Sequence, residues 1–235
     1  MNKLLAYSPN DKMASLISGD EMLLQVMSCF GISLGFGDMT VQEVCESKNI
    51  DCPTFLAVIN FVADGYSRID TAYNDISLRS LTDYLRRTHL YFLEFLLPSI
   101  RRKLEKAICK SNDKVAKLIL QSFDEYMAEV EKHMAFEDKT VFDYVEKLAD
   151  GHIHSQFKIS TFSKHHDLVS ERLRELKNIL IKYTPEDVNH YFITAALFEI
   201  YACEKGLEWH CKVEDYLFAP VVYNLERKHL ENENK

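Results

Sequence analysis

Two segments of the chain carry the same pattern of metal-competent side chains. His133-Met134-Ala135-Phe136-Glu137-Asp138 and His210-Cys211-Lys212-Val213-Glu214-Asp215 both read His-x-x-x-Glu-Asp. A spacing of four places imidazole and carboxylate on one face of a helix, about one turn apart. Such a pair offers a nitrogen and an oxygen to one point in space, which is what a metal ion requires.

The numbering extends the set. His89 precedes His133 by 44 residues, as His166 precedes His210, and a translation of 77 residues carries His89, His133 and Glu137 onto His166, His210 and Glu214. With nine histidines in the chain one coincidence is cheap, but three matched pairs are not. The reading is two helix hairpins of similar length, each delivering two histidines and one glutamate; the site is quasi-symmetric, whereas the rest of the sequence is not visibly repeated.

These six residues need long helices to hold them. The first is expected over 80–109, with Leu81, Leu85, His89, Phe92, Leu96, Ile100 and Leu104 on one stripe and a bend at Pro98. The second is expected over 113–149, with Leu118, Tyr126, Val130, His133, Glu137, Val141, Tyr144 and Leu148 near one face and Asp150-Gly151 ending it. The third, 159–183, steps 4-3-4-3-4 through Phe162, His166, Val169, Leu173, Leu176 and Leu180, which selects His166 over His165, about 100° away. Thr184-Pro185-Glu186-Asp187 reads as the start of the fourth helix, which carries Phe192, Ala196, Cys203, Gly206, His210, Glu214, Leu217 and Val221. A smaller helical module precedes them: Ser18 or Asp20 caps a helix through Met22–Met27, Thr40-Val41-Gln42-Glu43 is a capping box, and Asp51-Cys52-Pro53 opens a helix over Thr54–Val62. The expected organisation is a small helical domain over 1–65, a linker over 66–79, a four-helix bundle over 80–229 and a frayed tail over 230–235.

Composition agrees. Seven Gly and five Pro in 235 residues are few, which favours long helices over a turn-rich β fold. The net charge of −8 argues against a nucleic-acid surface. No apolar run approaches the length of a membrane span, and the apolar part of the start is too short for a secretory signal. Cys29, Cys45, Cys52, Cys109, Cys203 and Cys211 form no metal or disulfide framework, so free thiols and a cytoplasmic location are expected.

A single histidine on an apolar stripe is usually a hydrogen-bonded core residue. Six polar groups on the inward stripes of four helices are different, because burying an unpaired carboxylate costs several kcal/mol. Cations remove that cost while satisfying the imidazoles. The donors are nitrogen and oxygen only, which disfavours structural zinc and iron–sulfur clusters. Two bridging glutamates and four histidines suit two ions, with non-haem di-iron fitting best, oxo- or hydroxo-bridged, and di-manganese less well.

His89, His133-x-x-x-Glu137, His166-Asp167 and His210-x-x-x-Glu214, followed by Phe218-Ala219-Pro220, resemble the hemerythrin-like domain of the iron–sulfur cluster repair di-iron proteins, and the N-terminal module resembles the one those proteins carry. The resemblance implies an all-α, up-down hemerythrin-like four-helix bundle after a small helical domain. It implies that His89, His133, His166 and His210 ligate two irons per chain and that Glu137 and Glu214 bridge them. It also implies repair of iron–sulfur clusters damaged by nitric oxide or oxidative stress, with damaged iron–sulfur proteins and the small ligands NO and O2 as partners; a homodimer stays open. The alternative is a hemerythrin-like oxygen or nitric oxide binding or sensing module. Ser170 stands four residues after His166, near where oxygen carriers have a fifth histidine, which argues against a carrier. Two departures from the repair family stand out: Ser33-Leu34-Gly35-Phe36-Gly37 occupies the place of its Cys-Cys pair, and His165 precedes the third-helix ligand where the family usually has an acidic residue. Glu129, one turn before His133, is weighed as a guide for protons or iron against a solvated helix residue. His152, His154, His190 and His229 are expected at the surface.

Overall fold

The computed structural model describes residues 6–64, 75–151, 157–164 and 166–233; the side chains of 19, 161, 163–164, 166–170 and 232–233 lie outside the described set. Among the described residues every named element is helical, and the only β pairing is an isolated bridge between Lys12 and Thr40. The order is α1 (Met13–Gly19), α2 (Met22–Cys29), α3 (Val41–Ser47), α4 (Cys52–Asp64), α5 (Leu78–Leu90), a π-helical segment (Tyr91–Leu96), α6 (Leu97–Ile108), α7 (Lys114–Phe136), a second π segment (Glu137–Phe142), α8 (Asp143–Ala149), a 3-10 turn (Ile159–Lys164), α9 (His166–Tyr183), α10 (His190–Val213), a third π segment (Glu214–Phe218) and α11 (Ala219–Glu233). The expected linker falls mostly on 65–74, outside the described residues, and α5 starts at Leu78. The helix expected to fray at its tail continues to Glu233.

Two compact units are distinguished: residues 1–88, 142–162 and 209–235, and residues 89–141 and 163–208. The second is a four-helix bundle. Phe92, Leu96, Ile100 and Leu104 pack with Ile119, Phe123, Tyr126 and Val130, with Leu173, Leu176 and Leu180, and with Ile193, Ala196, Ile200, Cys203 and Leu207 in one continuous core. Asp113 caps α7 by accepting the Val115 amide at 2.6 Å, a contact whose loss costs about 1 kcal/mol. Leu118, expected inward, is 57% exposed, because Ala116, Ile119 and Phe123 take the core positions and leave 118 rotated away.

The expected start of the fourth helix at Thr184 is corrected. Thr184 instead donates its hydroxyl to the Leu180 carbonyl at the end of α9, and Asp187 accepts a hydrogen bond from Ser111 at 2.8 Å. Val188 is buried, and α10 is capped by Asn189, whose side chain accepts the Tyr191 amide at 3.1 Å. Pro185 therefore separates two helices rather than opening one.

In the first unit the N-terminal module is built as its caps predict. Asp20 accepts the Met22 amide at 2.8 Å, Thr40 and Glu43 form the reciprocal capping box, and Asp51 accepts the Thr54 amide at 3.0 Å. Gly31, Gly35 and Gly37 have φ of +79°, +97° and +58°, so this turn needs glycine for its backbone. The module packs on α5 and α10 through stacked Phe30 and Tyr84 (ring centroids 4.6 Å apart) and through Phe61 edge-on to Trp209 at 5.7 Å.

Candidate metal centre

Three helix distortions surround the candidate ligands. The Leu97 amide donates to the Phe92 carbonyl and the Ala219 amide to the Glu214 carbonyl, both five residues back, which defines the π turns. Glu137 and Glu214 are each the first residue of a π segment, so the 77-residue translation carries one distortion onto the other. Single π turns concentrate at functional sites because they re-aim the side chains they carry. Pro98, whose expected effect was a bend, lies at the start of α6 directly after the first π segment, where the ladder is already interrupted.

Glu137 has no exposed surface. His89 Nε2 lies 3.2 Å from its Oε2, and His133 Nε2 lies 3.0 Å from its Oε1, so two imidazoles address the two oxygens of one carboxylate. His89 is 1% exposed, while the His133 side chain retains 15%. His210 and Glu214 repeat the i, i+4 pair, with Nε2 to Oε1 at 3.3 Å and both residues buried. The pairs His133–Glu137 and His210–Glu214 thus each set an imidazole against a fully buried carboxylate one helical turn on. His166 is the first residue of α9, and its side chain is outside the described residues.

The donor set fits a cation. An imidazole nitrogen without a proton and a carboxylate oxygen at about 3 Å repel unless a proton or a metal ion stands between them, and the buried setting gives water no part in relieving that. Oxygen and imidazole nitrogen donors together suit iron or manganese.

The family pattern of the hemerythrin HHE cation binding domain matches residues 80–222. The chain belongs to that family. No curated protein matches it. The hemerythrin-type domain thus contains all six sequence-derived candidates, and its helical fold and buried His/Glu group mark it as a metal-binding module.

Residues outside the group have ordinary roles. Glu129 is 42% exposed in its side chain and pairs with Arg172 at 2.6 Å, so it is held at the surface. His190 is exposed and His229 half-buried, whereas His152 and His154 lie outside the described residues. Glu226 accepts from the Tyr144 hydroxyl at 2.6 Å and from the Ile159 amide at 3.0 Å, which engages it in packing away from the candidate ligands. One contact was not anticipated from the sequence. Asp138 Oδ1 lies 3.0 Å from His89 Nδ1. The signal for it was the acidic residue following each glutamate in the repeated motif.

None of the helices among the described residues is long and apolar enough to cross a membrane.

Proposed function

We propose that the hemerythrin-type domain holds two iron ions through His89, His133, His166 and His210, with Glu137 and Glu214 bridging, and that the protein serves in repairing iron–sulfur clusters damaged by nitric oxide or oxidants. The observation that carries the metal reading is the convergence of His89 and His133 on the two oxygens of the fully buried Glu137. A bound iron pair would supply reversible one-electron chemistry and open positions for a small ligand. The chain's own part is to hold the donors in place, with Phe142 edge-on to Phe218 at 5.5 Å and Phe162 against Phe218 at 6.2 Å forming apolar packing beside the π segments that carry the glutamates. The repair role is supported by the sequence resemblance and by a helical N-terminal module ahead of the metal domain.

A second reading, oxygen or nitric oxide sensing, is favoured by a specific set of contacts. Arg87, two residues before His89, donates to the Phe30 carbonyl at 3.1 Å, and Trp209, next to His210, packs against Phe61. The N-terminal module thus touches two helices that also carry candidate ligands, as a readout of ligand state requires.

Two measurements separate the readings. Iron analysis of the protein is expected to give two irons per chain, reduced in His133→Ala and Glu137→Gln; zinc alone or no metal overturns the site. Incubation with an iron–sulfur enzyme inactivated by nitric oxide is expected to restore its activity, dependent on His133 and Glu137. Iron without restoration favours the sensor.

A further inference from the structure

We infer that Asp138 is a positioning residue for the metal centre: it accepts the Nδ1 proton of His89 and thereby presents the bare Nε2 of that ring to Glu137. The inference rests on the metal-binding reading above and adds to it a residue outside the six candidate ligands.

The geometry is a ring held at both ends by consecutive residues. His89 Nε2 faces Glu137 at 3.2 Å and Nδ1 faces Asp138 at 3.0 Å. Both carboxylates come from the opening of the second π segment. A neutral imidazole has one N–H and one lone pair, so one of the two carboxylates receives a proton and the other meets a lone pair. Exposure decides which. The Asp138 side chain is 39% exposed and Glu137 is not exposed at all. A lone pair against Asp138 would face a carboxylate that solvent already reaches. A lone pair against Glu137 is what a cation between His89 and Glu137 requires. The proton therefore belongs on Nδ1 and the metal-facing electron pair on Nε2. Histidine ligands commonly hand their second nitrogen to a carboxylate in this way, which fixes the ring orientation and raises its basicity.

Exposure also explains why this role differs from a bridging one. Asp138 follows a bridging candidate but turns outward by one helical step, so its reach to the site passes through His89 and not directly to the ions.

The test uses the full chain. Protein labelled with 15N in histidine is loaded with zinc, a diamagnetic stand-in for iron, at about pH 8, and long-range proton–nitrogen correlation reads the His89 ring. The expected result is a slowly exchanging Nδ1 proton in the wild type, retained in Asp138→Asn, whose amide oxygen still accepts, and lost to exchange or mixed in Asp138→Ala. Ferrous iron titrated anaerobically against a chelator is expected to bind Asp138→Ala about 10–100-fold more weakly. Asp138→Asn should fall between it and the wild type, and Glu131→Ala, an exposed charge on α7, should bind as the wild type does. A protonated Nε2 in the wild type, or undiminished iron affinity in Asp138→Ala, overturns the inference while leaving the metal reading intact. Wild-type protein that takes up no iron overturns the metal reading and this role with it. Where Asp138→Ala fails to fold, the wild-type tautomer and the Asp138→Asn affinity decide.

Discussion

At the scale of single residues, Glu137 sets the electrostatics of the centre. A carboxylate without exposed surface is costly to keep ionised, and its two imidazole neighbours offset that cost only as imidazolium or through a shared cation. Glu137→Gln keeps the shape and removes the charge. The metal-free variant is therefore expected to melt at or above the wild-type temperature. The wild type should gain stability with ferrous iron, about 2.7 kcal/mol at a hundredfold excess over Kd, and the variant should gain much less. Calorimetry with and without iron checks this, and an undiminished gain contradicts it. Cys29 yields a second residue-scale prediction. Burial, offset in part by Thr88 and Arg87, pushes its thiol from 9.0 up to about 11. Because the folded state holds this proton more tightly, its contribution is intact below about pH 9 and is lost as pH rises through 11, by about 3 kcal/mol. Urea unfolding at pH 8 and pH 10.5 is expected to show a steeper loss in the wild type than in Cys29→Ala. In alkylation at pH 8, exposed Cys109 should be labelled well before Cys29, Cys45 and Cys203.

At the scale of elements, the π segments separate what was legible in the sequence from what was not. The stripe Leu81, Leu85, His89, Phe92, Leu96, Ile100, Leu104 was read correctly, and all seven are buried. Yet 23 steps at about 100° each would carry an α-helix about 140° off that line. Something had to take up the drift, and the turn at Tyr91–Leu96 closed by Leu97 and Phe92 does so. The same shift explains why Val222, and not the expected Val221, is fully buried beyond Glu214–Phe218. Apolar spacing reports which residues face inward but not where a helix widens. The caps at Thr40 and Asp51 were legible because each is a local hydrogen bond between near neighbours. The Asp187 and Val188 turn was not, because a distant Ser111 and the core determine it. If the π turn is one accommodated residue, deleting exposed Glu94 should convert it to regular helix while Leu96, Ile100 and Leu104 stay inward. The deletion variant is expected to keep its helical circular dichroism but to lose iron affinity, as His89 is re-aimed. Loss of helicity would show that the turn serves the fold instead.

At the scale of the whole molecule, the family pattern covers 80–222 and leaves the N-terminal module to be understood from its own contacts. That module grips α5 at one crowded place. Phe30 stacks on Tyr84 and meets Phe55 edge-on at 5.2 Å, Thr54 accepts the Ser77 amide at 2.8 Å, and Arg87 donates to the Phe30 carbonyl. Gly31 makes the last contact possible. Its φ is +79°, and a Cβ there would lie 2.3 Å from Arg87 Nη1. Gly31→Ala forces either the backbone or the guanidinium to move, and the arginine is the softer of the two. The expected cost is about 1–3 kcal/mol, from the left-handed backbone and the lost hydrogen bond together. Since the clash and the hydrogen bond share one partner, the two terms are separable by a double-mutant cycle. Arg87→Ala alone should destabilise, but on the Gly31→Ala background it should cost less, because the hydrogen bond is already broken and the clash is relieved. The cost of Gly31→Ala measured on the Arg87→Ala background is the backbone term. Iron stoichiometry should stay at the wild-type value throughout, since neither residue is a ligand candidate. Additive costs in the cycle would mean that Arg87 does not bear on the Gly31 turn in solution, and the contact set that favours sensing would lose one of its two anchors.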